Sequence, residues 1–526
     1  MPPSSEPSRA RAAPQPLARL APRGLTIETA LRTVLWLVLL AVVASTKTDP
    51  DLWGHVRFGM DMLRTMTIRQ ADTYSFTADQ PWVNHEWAAE IVLGGAYAIA
   101  GTAGLIAVKL AVVMPVLALL NLMLRYEGVS TPRHRDLLAA AAVIATIEQA
   151  HNLRPQLFSL LFFAALLASL QLSQRNVRIL AALPAIFALW VNFHGGWIVG
   201  GGVLLVWTAG VALSRPFDSR MTAWCVGAGA ASLAATSINP EGLGLLTFLT
   251  DTVGFGRADI TDWQPVTTMG VNIQMLWAAI SVLAVWGVVR GRRSGVPVQR
   301  WLVVVFLAMG SFRVNRLLAF FALATLFLLG PTLARAIRRP APAPAIPLRR
   351  GAALAAMTVA LVLCAGTLRS LAMSAGCIAV DPRTTAEPGA AAFLGEHGVS
   401  GRLLVWFDWG QYALWHLAPH LRVSLDGRRE TVYSAALRER HLRFYLDGPG
   451  GAALPDELRA DYVWIPGHLP AAGRLRDTGW PVLYEGEGSV IFGRPGRAAE
   501  GGPEDWMTPE AAAPAPGSVS RCFPGP

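Results

Sequence analysis

Charge is what this sequence has least of. Only 15% of its 526 residues are Asp, Glu, Lys or Arg, where a soluble chain carries about a quarter. Also missing is any sustained 3.6- or 2-residue alternation of apolar and polar positions. Hydrophobic residues make up 53%, the mean hydropathy is +0.40, and the apolar residues lie in long blocks. These absences exclude a soluble multidomain chain and leave a polytopic membrane protein.

Cysteine is scarce and unpatterned. The four residues Cys225, Cys364, Cys377 and Cys522 form no CxxC and no metal spacing, which argues against a zinc module. Cys377 and Cys522 could pair outside the membrane, but unpaired thiols are the expectation. Lysine is almost absent, so the net charge of +10 is carried by arginine. The arginines come as small groups between apolar blocks, which indicates topology and no nucleic-acid partner. The first 26 residues contain Arg9, Arg11, Arg19 and Arg23 among Pro and Ala, and no convincing signal-peptidase site follows. They are expected to be a disordered cytoplasmic N-terminus before a retained first helix. No repeat of solenoid length is visible.

Blocks able to cross a bilayer fall near 27–46, 103–124, 136–150, 155–173, 178–193, 195–213, 221–238, 272–290, 300–312, 316–334 and 351–373. That gives about eleven spans within a transmembrane domain 27–373. With the N-terminus inside, every second loop is basic: Arg125, Arg133 and Arg135, then Arg175 and Arg178, then Arg215 and Arg220. Arg290, Arg292, Arg293 and Arg300 follow, and then Arg335, Arg338, Arg339, Arg349 and Arg350. The register holds only if 86–102 does not cross, so that segment is expected as an interfacial or re-entrant helix within an exterior loop 47–102. Residues 374–495 change texture, with short β-rich runs such as "LLVWF" and "YVWIP". They are expected to form an exterior α/β domain, followed by a disordered Gly, Pro and Ala rich tail over 496–526.

The polar residues worth attention gather on the exterior side. Asp49 and Asp51 follow the first span, and "LWGHVRFGMDML" then has the pattern of an amphipathic interfacial helix. A carboxylate at that depth becomes more basic, which suits a general base acting on an acceptor hydroxyl, with His55 as a helper. "PWVNHEW" adds Asn84, His85 and Glu86, which with Asp51 and His55 could bind a divalent cation, hold a substrate or form a buried ion network. His151, Asn152 and Arg154 lie in one short turn, and Asn192 and His194 in another. Polar groups at membrane depth mark a substrate path, or they simply satisfy helix ends. "INPEGLG" and "DITDWQP" bracket a loop expected to close over the region. Arg313 and Arg316 of "SFRVNRL" are candidates to hold a phosphate or diphosphate. Asp408, Asp426, Arg428 and Arg429 of the last region are expected in structural or acceptor-docking roles.

An acidic motif just outside the first span, an amphipathic exterior loop, many spans and a C-terminal exterior domain resemble the GT-C superfamily of integral-membrane glycosyltransferases. "DPDLWGHVRFG … DTYSFTADQPWVNHEWAAE", "RPQLFSL", "NFHGGW" and "DWGQY … DGR" resemble a bacterial branch of it. The resemblance spans nearly the whole chain, but only the first loop is shared with the protein mannosyltransferase and aminoarabinose transferase types. In those, an exterior-loop acid after the first helix acts as base on a polyprenyl-phosphate sugar. Carried over, that role falls to Asp51, with Asp49 beside it, although Leu52 stands where the second acid of the usual Asp-Glu pair would be.

The resemblance implies an inverting transferase in a bacterial inner membrane, with the C-terminal domain outside. It would move sugar from a polyprenyl-phosphate donor to a glycan, lipid or protein acceptor. His85, Glu86, Arg154, Asn192, His194, Arg313 and Arg316 would bind substrate; no cofactor is assigned, and a divalent cation is the one candidate. The competing readings are a non-catalytic partner or transporter for lipid-linked polysaccharide, and an oligosaccharide ligase.

Overall fold

Blocks of Leu, Val and Ala, cut by Gly, Pro and short polar turns, set the helix lengths. The computed structural model describes residues 27–68, 71–253, 260–293, 295–337, 350–382, 384–496 and 522–525. Helices fall on all eleven expected blocks. In chain order they are α1 (Ile27–Ala44), α2 (Leu52–Thr65), α3 (Trp87–Tyr126), α4 (Pro132–His151), α5 (Gln156–Ser173), α6 (Leu183–Trp190) and α7 (Trp197–Ala212). Then come α8 (Ser219–Ala235), α9 (Gly244–Val253), α10 (Val271–Arg293), α11 (Val298–Arg313), α12 (Leu318–Ala324), α13 (Gly330–Ala336) and α14 (Arg350–Gly376). Among the described residues, five helices are long and apolar enough to cross a membrane: α3, α5, most of α10, the run Asn315–Ala336 and most of α14.

The two added helices, α2 and the first arm of α3, lie between the spans and the C-terminal region. Gly59 of α2 and Gly94 of α3 let the backbones touch: a Cβ on Gly94 would lie 2.4 Å from the Met60 nitrogen. The arm then stops at Ala100 and Gly101, where Gly101 takes φ +56°. A Cβ on Gly104 would be 2.0 Å from the Ala96 carbonyl oxygen, whereas an unbroken helix separates those residues by about 12 Å. The chain folds back there, so 87–99 is a separate arm and not the start of the following span.

The C-terminal region carries α15 (Pro388–Glu396), β1 (Gly401–Val405), α16 (Gly410–Leu417), β2 (Leu421–Val423), α17 (Ala435–Tyr445), α18 (Leu454–Glu457), β3 (Tyr462–Pro466), α19 (Pro470–Asp477), β4 (Val482–Glu485) and β5 (Ser489–Gly493). The sheet order is β2-β1-β3-β5-β4, parallel across β2-β1-β3 and antiparallel across β3-β5-β4. Side-chain alternation divides it between two cores. Leu403, Val405 and Trp464 join an apolar core continuous with the membrane helices, while Leu404, Val463 and Phe492 join a second core on the other face.

The first loop adds to this sheet. Phe76 N–H donates to the Val423 carbonyl at 3.1 Å and Val423 N–H to the Tyr74 carbonyl at 3.3 Å, extending the β2 edge. Beneath that seam, Arg428 pairs with Asp426 and Asp72, each at 2.6 Å, and Tyr433 donates to Asp426 at 2.8 Å. The guanidinium also lies over the rings of Phe58, Tyr74 and Trp82. "DTYSF" and "DGRR" are therefore two halves of one buried joint.

Two expectations change here. Cys377 and Cys522 are disulfide-bonded, not free; the fold brings together residues that are 145 apart in sequence, which spacing alone does not reveal. The expected disordered tail is docked at 522–525, where Phe523 is buried and the Pro524 carbonyl accepts from Trp53 Nε1 at 2.7 Å. Residues 1–26 and 497–521 lie outside the described residues.

Candidate active site

A cavity of about 850 Å³ opens where the first loop, the α4–α5 turn, the α6–α7 turn, the 260–263 segment and the C-terminal region meet. Its lining includes the apolar side chains of Phe248, Leu249, Leu317 and Phe320 and the charged side chains of Asp408, Arg429 and Glu430. That combination suits an amphiphilic ligand.

Arg154 is the centre of the acidic cluster. Its guanidinium lies 3.0 Å from Asp49, 3.3 Å from Asp51 and 3.8 Å from Asp262. Asp49 Oδ1 also accepts from the Asp51 N–H at 2.9 Å, an Asx turn that opens α2. Burial pushes the Asp49 carboxyl above the usual range; Arg154 opposes this and the charge of Asp51 adds to it. The three acids in turn raise Arg154, against the effect of burial. The side chain of Asp49 is 4% exposed and that of Asp51 25%, so only Asp51 is open to a ligand.

His55 faces the other way. Its Nδ1 is 3.1 Å from Glu90 Oε1, and Asn84 Nδ2 donates to Glu90 Oε2 at 2.7 Å. Burial opposes a charge on His55, but the hydrogen bond to Glu90 and the charges of Glu86, Glu90 and Asp51 outweigh it and raise the pKa to about 9. His85 and His194 both approach Glu86 Oε1, each at 3.8 Å.

His194 is fixed by its turn. Gly196 N–H donates to its Nδ1 at 3.0 Å, and Ser159 Oγ, which accepts from Trp190 Nε1 at 2.8 Å, lies 2.8 Å from the same nitrogen. Burial first, and the charge of Arg316 second, lower its pKa well below the ordinary histidine value. Arg316 has its guanidinium 3.3 Å from His194 Nε2. It lines the cavity, and among the described residues no carboxylate lies within 4.0 Å of it.

The structure thus brings Asp49, Asp51, His55, His85, Glu86, Arg154, His194 and Arg316 to one cavity. Asn192 is placed elsewhere, accepting from Trp87 Nε1 and donating to the carbonyls of Ala188 and Ile238, a satisfied helix end. Arg313 is exposed at the end of α11 and outside the cavity. Of the residues offered as cation ligands, His85 meets Glu86, His55 and Asn84 hold Glu90, and Asp51 pairs with Arg154; among the described residues no group of three or more His, Cys, Asp or Glu is arranged to hold a metal ion.

Sequence reading passed over Glu90, Asp262 and Ser159. Glu90 follows Glu86 by one helical turn in "EWAAE", a spacing that puts both acids on one face. Asp262 lies in the loop expected to close over the site, but nothing in "DITDWQP" distinguishes it from Asp259. Ser159 is the fourth residue after Pro155, an offset shared with many structural serines.

No protein-family model matches the sequence, and no curated protein does. Several solved structures are similar, among them the following. ArnT from Cupriavidus metallidurans in the apo state has a TM-score of 0.51 at 13% identity, over 88% of this chain and 97% of that one. The same protein bound to undecaprenyl phosphate has 0.47 at 12%, over 88% and 96%. The arabinofuranosyltransferase AftD from Mycobacteria has 0.49 at 18%, over 89% of this chain but 40% of that longer one. The match to the apo structure spans most of both chains, and this chain shares its overall fold.

Proposed function

We propose that the protein transfers a sugar from a polyprenyl-phosphate donor to an acceptor hydroxyl at the outer face of a bacterial inner membrane. The observation that carries this reading is the contrast between two arginines in one cavity. Arg154 is neutralised by three carboxylates, whereas Arg316 faces the cavity beside apolar walls with no acid of its own. A buried guanidinium in such a wall is matched by a phosphate carrying a hydrocarbon tail.

In this mechanism Asp51 takes the proton from the acceptor hydroxyl while the oxygen attacks the anomeric carbon from the side opposite the phosphate. The bond to the phosphate oxygen breaks, and polyprenyl phosphate leaves as an anion held by Arg316, with His194 beside it. The leaving group is already stable, so positioning and charge neutralisation provide most of the rate. Asp49 and Arg154 orient Asp51. Asp408, Arg429 and Glu430 line the side on which the acceptor would enter. The Asp408 carboxyl, raised to about 6 by burial and then by the charge of Asp51, is suited to donating or accepting a hydrogen bond there. The disulfide supports the outer face, because such bonds persist in oxidising compartments.

The test is the pair of changes Asp49→Asn and Asp51→Asn in protein shown to be folded. Transfer should fall to background with donor binding retained; undiminished transfer would falsify the mechanism.

A further inference from the structure

The segment 522–525 lies far along the chain from Asp49 and Asp51, yet two separate lines of contact run from it to them. The first is a ladder of single β-bridges. Cys522 bridges Ala379, Ala379 bridges Lys47, and Lys47 bridges Asn152. The bonds are explicit: Phe523 N–H donates to the Ile378 carbonyl at 2.8 Å, Thr48 N–H to the Ala379 carbonyl at 2.8 Å, and Lys47 N–H to the His151 carbonyl at 3.2 Å. Lys47 and Asn152 are paired in parallel, and two residues further along each segment Asp49 meets Arg154 at 3.0 Å. The register of the ladder is what sets that ion pair opposite itself.

The second line runs through Trp53, which is fully buried two residues after Asp51. Its Nε1 donates to the Pro524 carbonyl at 2.7 Å, and its ring packs against Phe523 at 5.4 Å and Tyr412 at 5.1 Å. Phe523 also meets Tyr97 and Trp415. The Cys377–Cys522 disulfide anchors the segment to the end of α14.

We infer that residues 522–525 are a positioning element for Asp49 and Asp51, held in register by the Cys377–Cys522 disulfide. That the positioned group is a catalytic base rests on the transferase reading; that the segment fixes the conformation of 46–55 does not.

The experiment is hydrogen-exchange mass spectrometry on the full-length protein, oxidised and after mild reduction with a phosphine. Peptides covering 46–55 and 378–381 should exchange about tenfold faster on reduction, while peptides from α5 keep their rates. Phe523→Ala, with the disulfide intact, should accelerate 52–55, and Phe523→Leu should restore most of the protection. If Cys522→Ser does not fold, reduction of the already folded wild type still decides. Rates over 46–55 that stay within about twofold in folded, reduced protein overturn the inference. Where transfer is measurable, reduction should lower kcat and leave the donor KM within about twofold, a split that general loosening would not give. Wild-type protein that binds undecaprenyl phosphate and never transfers sugar would sink the functional reading, while the exchange rates would still judge the positioning.

Discussion

Gly427 lies so close to Asp51 that a Cβ there would sit 2.0 Å from the Asp51 Oδ1 and 2.9 Å from Gln411 Nε2. The C-terminal region thus presses its backbone against the first-loop acid, and Gln411 Oε1 accepts from the Gly54 N–H at 3.1 Å on the same seam. Gly427→Ala should leave the fold intact and displace the Asp51 carboxylate. A shift of that size at a base costs roughly ten- to a hundredfold in kcat. Gly467→Ala, where a Cβ meets nothing within 4 Å, is the control. Equal turnover in the two variants would show that Asp51 need not be held where it is.

Among the described residues, Arg154 is the one ion-pair partner of Asp49 and Asp51, and it also reaches Asp262. Arg154→Gln leaves those acids facing one another with no cation between them, a loss of about 3–5 kcal/mol for a buried pair. Denaturant titration near neutral pH should show a drop of that order. Protonation relieves carboxylate repulsion, so the deficit should shrink as the pH falls. A deficit independent of pH would mean that packing of the side chain, and not its charge, is what the site uses.

The parts of this chain that could be read from sequence are those where local pattern and tertiary structure agree. Long apolar blocks became helices, and the segment 86–102, set apart by the arginine register, ends at a break in the helix at Ala100 and Gly101. The acids Asp49 and Asp51 were legible because charge at the end of an apolar run is conspicuous. What stayed hidden needed contacts between distant segments. Arg154 reads as a phosphate ligand until three carboxylates from two distant segments meet it. Asn192 and His194 look alike two residues apart, yet one turn ties the first to helix-end carbonyls and places the second at the cavity. The Cys377–Cys522 pair has no spacing signature at all.

The joint between the first loop and the sheet should be a stability determinant. Arg428 is almost fully buried and holds Asp72 and Asp426 together. Arg428→Met keeps the packing against Phe58, Tyr74 and Trp82 but leaves two buried carboxylates without their cation. The expected loss is about 3–5 kcal/mol, seen as a lowered Tm. The triple change Arg428→Met, Asp72→Leu and Asp426→Leu removes the charges together and should recover part of the loss. If the single variant is as stable as wild type, the seam is held by its backbone bonds at Val423 and not by this network.

His55 gives a pH dependence with a definite sign. Its folded pKa is raised to about 9 from about 6.5 in the unfolded chain, so the folded state binds the proton more tightly. The stability this contributes is complete below about pH 6.5 and is lost as the pH rises through about 9. Tm should therefore decline across that window. Burial works against the charge, and the hydrogen bond to Glu90 is the first of the opposing contributions. Glu90→Gln removes the carboxylate that holds the proton, so the decline should flatten in that variant while Asn84 loses its charged acceptor. His55→Gln should flatten it as well. A wild-type Tm that stays level from pH 6.5 to 9.5, or a slope that survives in His55→Gln, would show that the His55–Glu90 pair is not the group that titrates.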